Sequence, residues 1–314
     1  MITARVGGLR AQAGILLAAL LISAACGLAA APCAAASGVW LEPSSAGDAA
    51  AVWTPDRVRE ARPVELRREN AAASAAAGGE FSSNFEEVAD PTAPEFRIHG
   101  VILLSFGIFG YGRCSGTAVH SANKSVVITA GHCVNSGRGD HWLAEEAAFV
   151  PGYRYGQRPF GIFPVRWTDS TRQWAGSGNF NYDVGAMVVG RNGAGELLGE
   201  AVGGAKIAWG LKPRQDFVVH GYPAEDPFDG ETQRVCGNAT YLGHDPQSLG
   251  HAGPQDLAVR CDVTGGASGG GWLIHGDTLN GVTSYGYFDQ QTPDYGPYFG
   301  KEVGRLYGRA ASVK

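Results

Sequence analysis

Val126-Val-Ile-Thr-Ala-Gly-His-Cys133 begins with four β-branched residues and then breaks into two of the smallest, followed by a histidine and a cysteine. β-Branched side chains are stiff at χ1 and fit a pleated surface, so the first half reads as a strand. The break at Ala130-Gly131 ends it, and four residues are too few for a helix. The same signal recurs along the chain at Ile98–Phe106, Gly116–His120, Val184–Val189, Phe217–His220, Gly271–Ile274 and Gly281–Tyr285, separated by Gly, Asn, Asp and Pro clusters. Many short strands with frequent turns predict an all-β barrel or sandwich. From Phe96 onward, Lys301 to Ser312 alone has helical character. The stretch from residue 96 onward, about 220 residues, has room for one large or two small barrels.

The 314 residues carry 25 basic and 30 acidic side chains, a formal net charge of −5. That balance excludes a strongly basic nucleic-acid binder and a polyanionic tail protein. With 44% hydrophobic and only 18% charged residues, the chain can bury a large core. Its 47 glycines have no Gly-X-Y period, so they mark turns and close backbone approaches, not a collagen helix.

The first segment is of a different kind. Arg5 and Arg10 precede an apolar run from Ala13 to Ala31, and Ala34, Ala35 and Ala36 offer a small-residue cleavage site. These are the parts of a secretory signal peptide over residues 1–36, so the chain is expected to be secreted, with no membrane contact once the signal is removed. Cys26 and Cys33 would leave with it. Cys114, Cys133, Cys236 and Cys261 remain, and four cysteines in an oxidising compartment allow three pairings. None forms a C-x-x-C pair, so a zinc site has little support; no carboxylate cluster argues for calcium, and no metal or cofactor is expected.

Residues 37–95 hold an Arg/Glu-rich stretch, Arg57 to Glu69, with the makings of a short helix. An alanine-rich run, Ala71 to Gly79, and an acidic approach segment, Phe81 to Pro94, follow. About 60 residues of this composition are expected to bury little. In an exported chain they read as a prosegment and linker, hence a zymogen, or else as a permanent extension. Residues 96–314 form the expected folded domain, with 18 basic against 20 acidic groups from residue 95 on.

Two contexts carry chemistry. One is the His132 loop quoted above. The other is Thr264-Gly-Gly-Ala-Ser-Gly-Gly-Gly271, where a serine is surrounded by residues without bulk. Nucleophilic acyl transfer needs such a turn: an exposed hydroxyl, with free backbone N–H groups aimed at the developing oxyanion. A third group must orient the histidine and stabilise its cation. Asp183, at the entry to the apolar run Val184–Val189, is placed for that role. The chain order is His132, Asp183, Ser268.

Thr129-Ala-Gly-His-Cys133, Asp183-Val-Gly and Gly265-Gly-Ala-Ser-Gly-Gly270, together with Cys114-Ser-Gly-Thr117 and Val282-Thr-Ser-Tyr-Gly286, resemble the signature blocks of trypsin-like serine peptidases. The similarity spans roughly residues 97 to 312. Gly221-Tyr-Pro-Ala224 and Tyr295-Gly-Pro-Tyr-Phe-Gly300 look most like secreted bacterial members, the group that includes glutamyl endopeptidases. The resemblance implies two six-stranded antiparallel β-barrels with the active site in the cleft between them, and polypeptide substrates.

It also implies residue roles: Ser268 as nucleophile, His132 as general base and then acid, and Asp183 as holder of the imidazole tautomer. The N–H groups of Gly266 and Ser268 would form the oxyanion hole, and Ser284-Tyr285-Gly286 would pair with the substrate backbone. Disulfides are implied between Cys114 and Cys133 and between Cys236 and Cys261. No oligomer is demanded, so a monomer is expected.

Some positions depart from the pattern. Ala267 stands where animal trypsins carry an aspartate that receives the new N-terminal ammonium on activation, so that salt bridge is not available here. Asp262, six residues before Ser268, lies either at the floor of the primary pocket or in a turn outside it. Thr283 occupies the place where glutamyl endopeptidases carry a histidine. Two rival readings are a serine hydrolase with a nucleophile elbow, Gly266-Ala-Ser-Gly-Gly270, and a silent peptidase homologue acting as a binding module. The first wants its acid and histidine after the serine, where only His275 follows; the second usually loses a member of the triad.

Overall fold

The computed structural model describes residues 38–41, 45–64, 66–68, 84–139, 144–287 and 290–314. The expected signal segment and the alanine-rich run 71–79 lie outside the described residues. In chain order the N-terminal elements are β1 (Val39–Trp40), α1 (Ala46–Val52), α2 (Pro55–Glu60), β2 (Arg62–Pro63), β3 (Leu66–Arg68) and β4 (Glu86–Glu87). The next are β5 (His99–Ser105), β6 (Tyr111–Val119), β7 (Val126–Thr129), β8 (Glu146–Pro151), β9 (Phe163–Ser170), α3 (Arg172–Ser177) and β10 (Gly185–Val189). Then come α4 (Leu198–Ala201), β11 (Lys206–Ile207), β12 (Asp216–Gly221), β13 (Arg234–His244), β14 (Leu257–Val259) and β15 (Gly271–Ile274). The last are β16 (Thr278–Val282), β17 (Tyr285–Tyr287), β18 (Gln290–Gly296) and α5 (Lys301–Ser312).

Strands β5, β6, β7, β10, β9 and β8 pair antiparallel in that order, and β8 pairs back to β5, closing a six-stranded barrel. Its interior holds Ile102, Leu104, Ile128, Phe149, Phe163, Trp167 and Met187. The second six-stranded unit runs β16-β15-β12-β13-β14-β18 around Phe217, Val219, Trp272, Ile274, Leu257 and Val259. Gly296 at the end of β18 lies so close to β16 that a Cβ there would meet the Val282 carbonyl oxygen at 2.2 Å. Helix α5 packs Val303, Leu306 and Ala310 onto the first barrel. The expected all-β architecture of two six-stranded antiparallel units with a short C-terminal helix is the observed one.

The segment expected to bury little does not behave that way. Every residue of β5 is buried, because its two faces serve two clusters: Ile102 and Leu104 point into the barrel, whereas Val101 and Leu103 meet Ala49, Trp53 and Val58. A strand covered on both faces reads as a continuous apolar run, and residues 45–61 supply the second cover. Ser45 caps α1 with a capping box, and Thr54 caps α2 ahead of Pro55. Where a helix was expected over Arg57 to Glu69, α2 stops at Glu60 and the chain turns extended into β2 and β3. Pro63 explains the turn, since it disfavours a helical residue before it. The acidic approach segment is anchored as well: β4 pairs with β13, and Phe85 and Val88 are buried.

Where the two barrels meet, His99 of β5 and His220 of β12 stack with ring centroids 3.9 Å apart and planes 10° from parallel. His99 Nδ1 lies 2.9 Å from Thr117 Oγ1, while its Nε2 is buried without a hydrogen-bond partner among the described residues. Burial lowers both pKa values, that of His220 to about 3, and the neighbouring His220 pushes His99 down further. Both rings are therefore neutral in the folded chain and regain an ordinary affinity for protons near pH 6.5 on unfolding. Below that pH the unfolded state binds more protons, so stability falls with acidification, by up to about 1.4 kcal/mol per pH unit for each imidazole. The loss continues down to the folded-state values, near pH 3 for His220. Urea unfolding at intervals from pH 7 to 4.5 is expected to show this slope, and His220→Phe is expected to shrink it. An unchanged slope in the variant would remove the pair as its source.

Candidate active site

Strand β7 ends at Thr129, and one short 3₁₀ turn, Gly131–Cys133, presents His132 from its end. Gly131 is required there, because a Cβ would stand 2.7 Å from the Trp174 ring and 2.8 Å from Asp183 Oδ1. Asp183 ends the 3₁₀ turn Phe180–Tyr182 just before β10, and β10 pairs with β7, so the register of two central strands brings the two residues together.

Asp183 is wholly buried, with each oxygen accounted for. Oδ1 accepts the His132 backbone N–H at 2.7 Å; Oδ2 lies 2.7 Å from His132 Nδ1 and accepts the Ser284 hydroxyl at 2.5 Å. The imidazole thus has its orientation set from two sides and its Nδ1 committed to donation. Its Nε2 is buried and has no hydrogen-bond partner among the described residues. Trp174 lies edge-on to the ring, centroids 6.3 Å apart, and its indole N–H is held by the Asn135 carbonyl.

Ser268 sits in the turn before β15 and is 5% exposed. Its carbonyl oxygen accepts the Ser115 N–H at 2.7 Å and lies 3.8 Å from the Cys133 sulfur, so the turn is docked on the loop that carries His132. Gly269 makes this docking possible: its φ is +80°, and a Cβ would fall 2.0 Å from Thr129 Oγ1. Along the turn the N–H groups alternate. Ala267, Gly269 and Gly270 donate to Thr264, Thr283 and Ala267 carbonyls, whereas Gly266 and Ser268 donate to no acceptor among the described residues. Gly266 has a φ of +95°, and the Ser115 hydroxyl donates to its carbonyl while accepting the Tyr222 N–H.

The neighbouring edge is β17. Thr283 Oγ1 accepts from the Trp272 indole at 3.0 Å and donates to Asp294 Oδ2 at 2.7 Å. Burial pushes the Asp294 carboxyl up to about 8, so it is protonated at neutral pH. The hydroxyls of Tyr285 and Tyr287 both donate to the buried Asp245, and Tyr285 lies 2.9 Å from Asp256 as well. Tyr285 stacks on Tyr295 at 5.2 Å. These contacts hold the edge at a fixed height beside the Ser268 turn. Asp262 is buried, close enough to Cys261 that its charge adds to the burial and the Cys236 hydrogen bond that raise the thiol.

No protein-family model matches the sequence. Among solved structures, the protease Anisep from Arthrobacter nicotinovorans is 34% identical, covering 69% of this chain and 96% of that one, with a TM-score of 0.63. The chain belongs to the trypsin-like serine peptidases. A thermostable serine protease, AL20, from an extremophilic microorganism gives the same TM-score at 32% identity, covering 69% of this peptidase and 98% of AL20. A Glu endopeptidase at 18% identity and a TM-score of 0.59 shares the fold, over 74% of this chain and 98% of its own. A curated relative, the extracellular metalloprotease of Bacillus subtilis (strain 168), is 38% identical over 77 residues, which are 24% of this chain and 23% of that protein.

The word metalloprotease in that relative's name invites a test of donors in this peptidase. Among the described residues the closest cluster is Cys114, His132 and Cys133. It does not suit a metal: the two sulfurs are joined in a disulfide and offer no thiolate, and His132 Nδ1 is engaged by Asp183. The Cys114–Cys133 bridge is the one the family resemblance implied. The second implied bridge is absent. Cys236 and Cys261 are buried thiols hydrogen-bonded to each other, with the Cys236 sulfur turned to the Arg260 carbonyl at 3.5 Å.

Proposed function

We propose that this peptidase is a secreted serine endopeptidase that works through an acyl-enzyme. The observation that carries the reading is the buried His132–Asp183 pair beside a serine turn, with His132 Nε2 and the Gly266 and Ser268 N–H groups unengaged among the described residues. Ser268 Oγ attacks the scissile carbonyl as its proton passes to His132 Nε2. Asp183 stabilises the imidazolium from the Nδ1 side, and the Ser284 hydroxyl shares that carboxylate. The Gly266 and Ser268 N–H groups receive the oxyanion. Collapse of the tetrahedral intermediate breaks the C–N bond, and the leaving amine takes the proton from Nε2. Water, deprotonated by the same nitrogen, then releases the acid and regenerates Ser268. The substrate backbone lies along Ser284–Gly286. Extracellular working rests on the signal-like sequence 1–36 and on the name of the B. subtilis relative.

A fluorophosphonate probe tests the assignment, with the labelled residue located by mass spectrometry. Labelling is expected at Ser268 and is expected to vanish in His132→Ala. Labelling that survives in that variant, or that falls on another serine, would overturn the reading. A folded protein that never labels and cleaves nothing would favour the binding-module alternative.

A further inference from the structure

Residues 62–64 lie on one sheet and residues 66–68 on the other, both at the site. Arg62 and Pro63 pair in parallel with Gly112 and Arg113, and the Val64 N–H donates to the Arg113 carbonyl at 3.0 Å. The Val64 carbonyl oxygen lies 3.7 Å from the Cys114 sulfur, next to the loop that carries His132. Two residues later β3 pairs in parallel with β17, setting Leu66 against Tyr285, Arg67 against Gly286 and Arg68 against Tyr287. The Leu66 side chain packs into the aromatic group formed by Tyr285, Tyr295 and Phe180, the last from the turn that ends at Asp183. A strand edge hydrogen-bonds one partner at a time, and this edge already has one.

We propose that residues 62–68 are an occluding strap that holds the peptidase latent. This rests on the reading of Ser284–Gly286 as the strand that receives substrate. Two anchors outside the cleft keep the strap in place. One is the pairing of β1 with β9; the other is the burial of Trp53, whose ring meets Tyr111 edge-on at 5.6 Å and whose carbonyl accepts from Arg158. Because strap and cleft share one chain, the effective concentration is high and a polypeptide competes poorly. Cleavage within the alanine- and glycine-rich sequence 71–79 would convert the strap into a separate piece able to dissociate. Activation here therefore needs no new N-terminal ion pair, in keeping with Ala267 beside the nucleophile.

The test compares the full chain with Leu66→Asp, which puts a charge among the aromatics, and Arg67→Pro, which locks φ at about −65° at the centre of β3, where a parallel strand adopts about −120°, while leaving the Trp53 anchor untouched. Readouts are the rate of fluorophosphonate labelling and kcat/KM on a denatured protein substrate. A strap closed in nine molecules of ten or more predicts a rise of about tenfold or greater in both variants. A synthetic peptide with the sequence of residues 60–70 is expected to inhibit Arg67→Pro competitively, raising KM and leaving kcat unchanged. Equal rates in all three proteins, or no inhibition by the peptide, would overturn the strap while leaving the serine peptidase reading intact. Absence of Ser268 labelling in all three would overturn that reading, and the strap with it.

Discussion

Ser268→Ala is expected to lower kcat by a factor of about 10⁵ to 10⁶ on any peptide substrate, with the thermal unfolding midpoint unchanged. The size follows from what the substitution removes. Alanine keeps the backbone of the turn, and the backbone makes its structural contacts: the Ser268 carbonyl receives the Ser115 N–H, and Gly269 beside it donates to Thr283. The Ser268 and Gly266 N–H groups stay where they are, so polarisation of a bound carbonyl survives. What is lost is the bond-forming atom, and with it the covalent intermediate that divides one high barrier into two lower ones. A residual rate about 10³ to 10⁴ above that in water is expected from the surviving N–H groups and substrate binding. Single-turnover kinetics with an activated ester, beside calorimetry, separate the outcomes. A variant within tenfold of the parent would remove Ser268 from the chemistry, and a large fall in the unfolding midpoint would make the loss structural.

The same contacts explain what could be seen from the sequence alone. Strands that must be apolar on one or both faces announced themselves. Val126–Thr129 and Gly271–Ile274 have the same limits in the sequence and in the fold, and α5 matches its expected span. Strands β9 and β13 did not, for a local reason. Phe163-Pro-Val-Arg-Trp-Thr-Asp-Ser170 mixes a proline and charges into its run, and Arg234 to His244 carries two glycines and an asparagine on a half-exposed strand with a register shift against β12. Both are completed by pairing, which is a long-range property that composition does not encode.

At the site, the histidine and serine were legible because a sharp turn needs small neighbours, and small neighbours leave a mark. The supporting hydroxyls were not. Ser115 joins the Gly266 carbonyl to the Tyr222 N–H across 107 residues or more, and Ser284 reaches Asp183 across 101. A lone serine in a strand carries no local sign of such a partner. The N-terminal segment failed for another reason. Taken as a unit it has too little apolar surface for a core; in the fold it lends Trp53, Val58 and Leu66 to surfaces that the rest of the chain supplies.

Asp183→Asn is expected to reduce kcat by about 10⁴ near neutral pH while leaving the fold intact. The argument is one of proton placement. The carboxylate accepts three hydrogen bonds, from the His132 N–H, His132 Nδ1–H and the Ser284 hydroxyl. A carboxamide has one accepting oxygen and one donating nitrogen. If the oxygen stays with the His132 backbone N–H, the NH₂ faces Nδ1 and forces that atom to accept. The ring proton then moves to Nε2, which can no longer take a proton from Ser268.

If the amide turns the other way, the buried His132 N–H loses its acceptor, at a cost of about 1–3 kcal/mol. The first orientation is therefore the stable one, and the base is disabled with no side chain out of place. Ser284→Ala removes only one of the three bonds and leaves the tautomer alone, so about a tenfold loss is expected there. Nitrogen NMR of the imidazole gives a readout apart from rate: the proton is expected on Nδ1 in the parent and in Ser284→Ala, and on Nε2 in Asp183→Asn. A variant that keeps the parent tautomer yet loses activity would assign the loss to charge alone. One that moves the proton and keeps more than a tenth of the activity would remove His132 as the base.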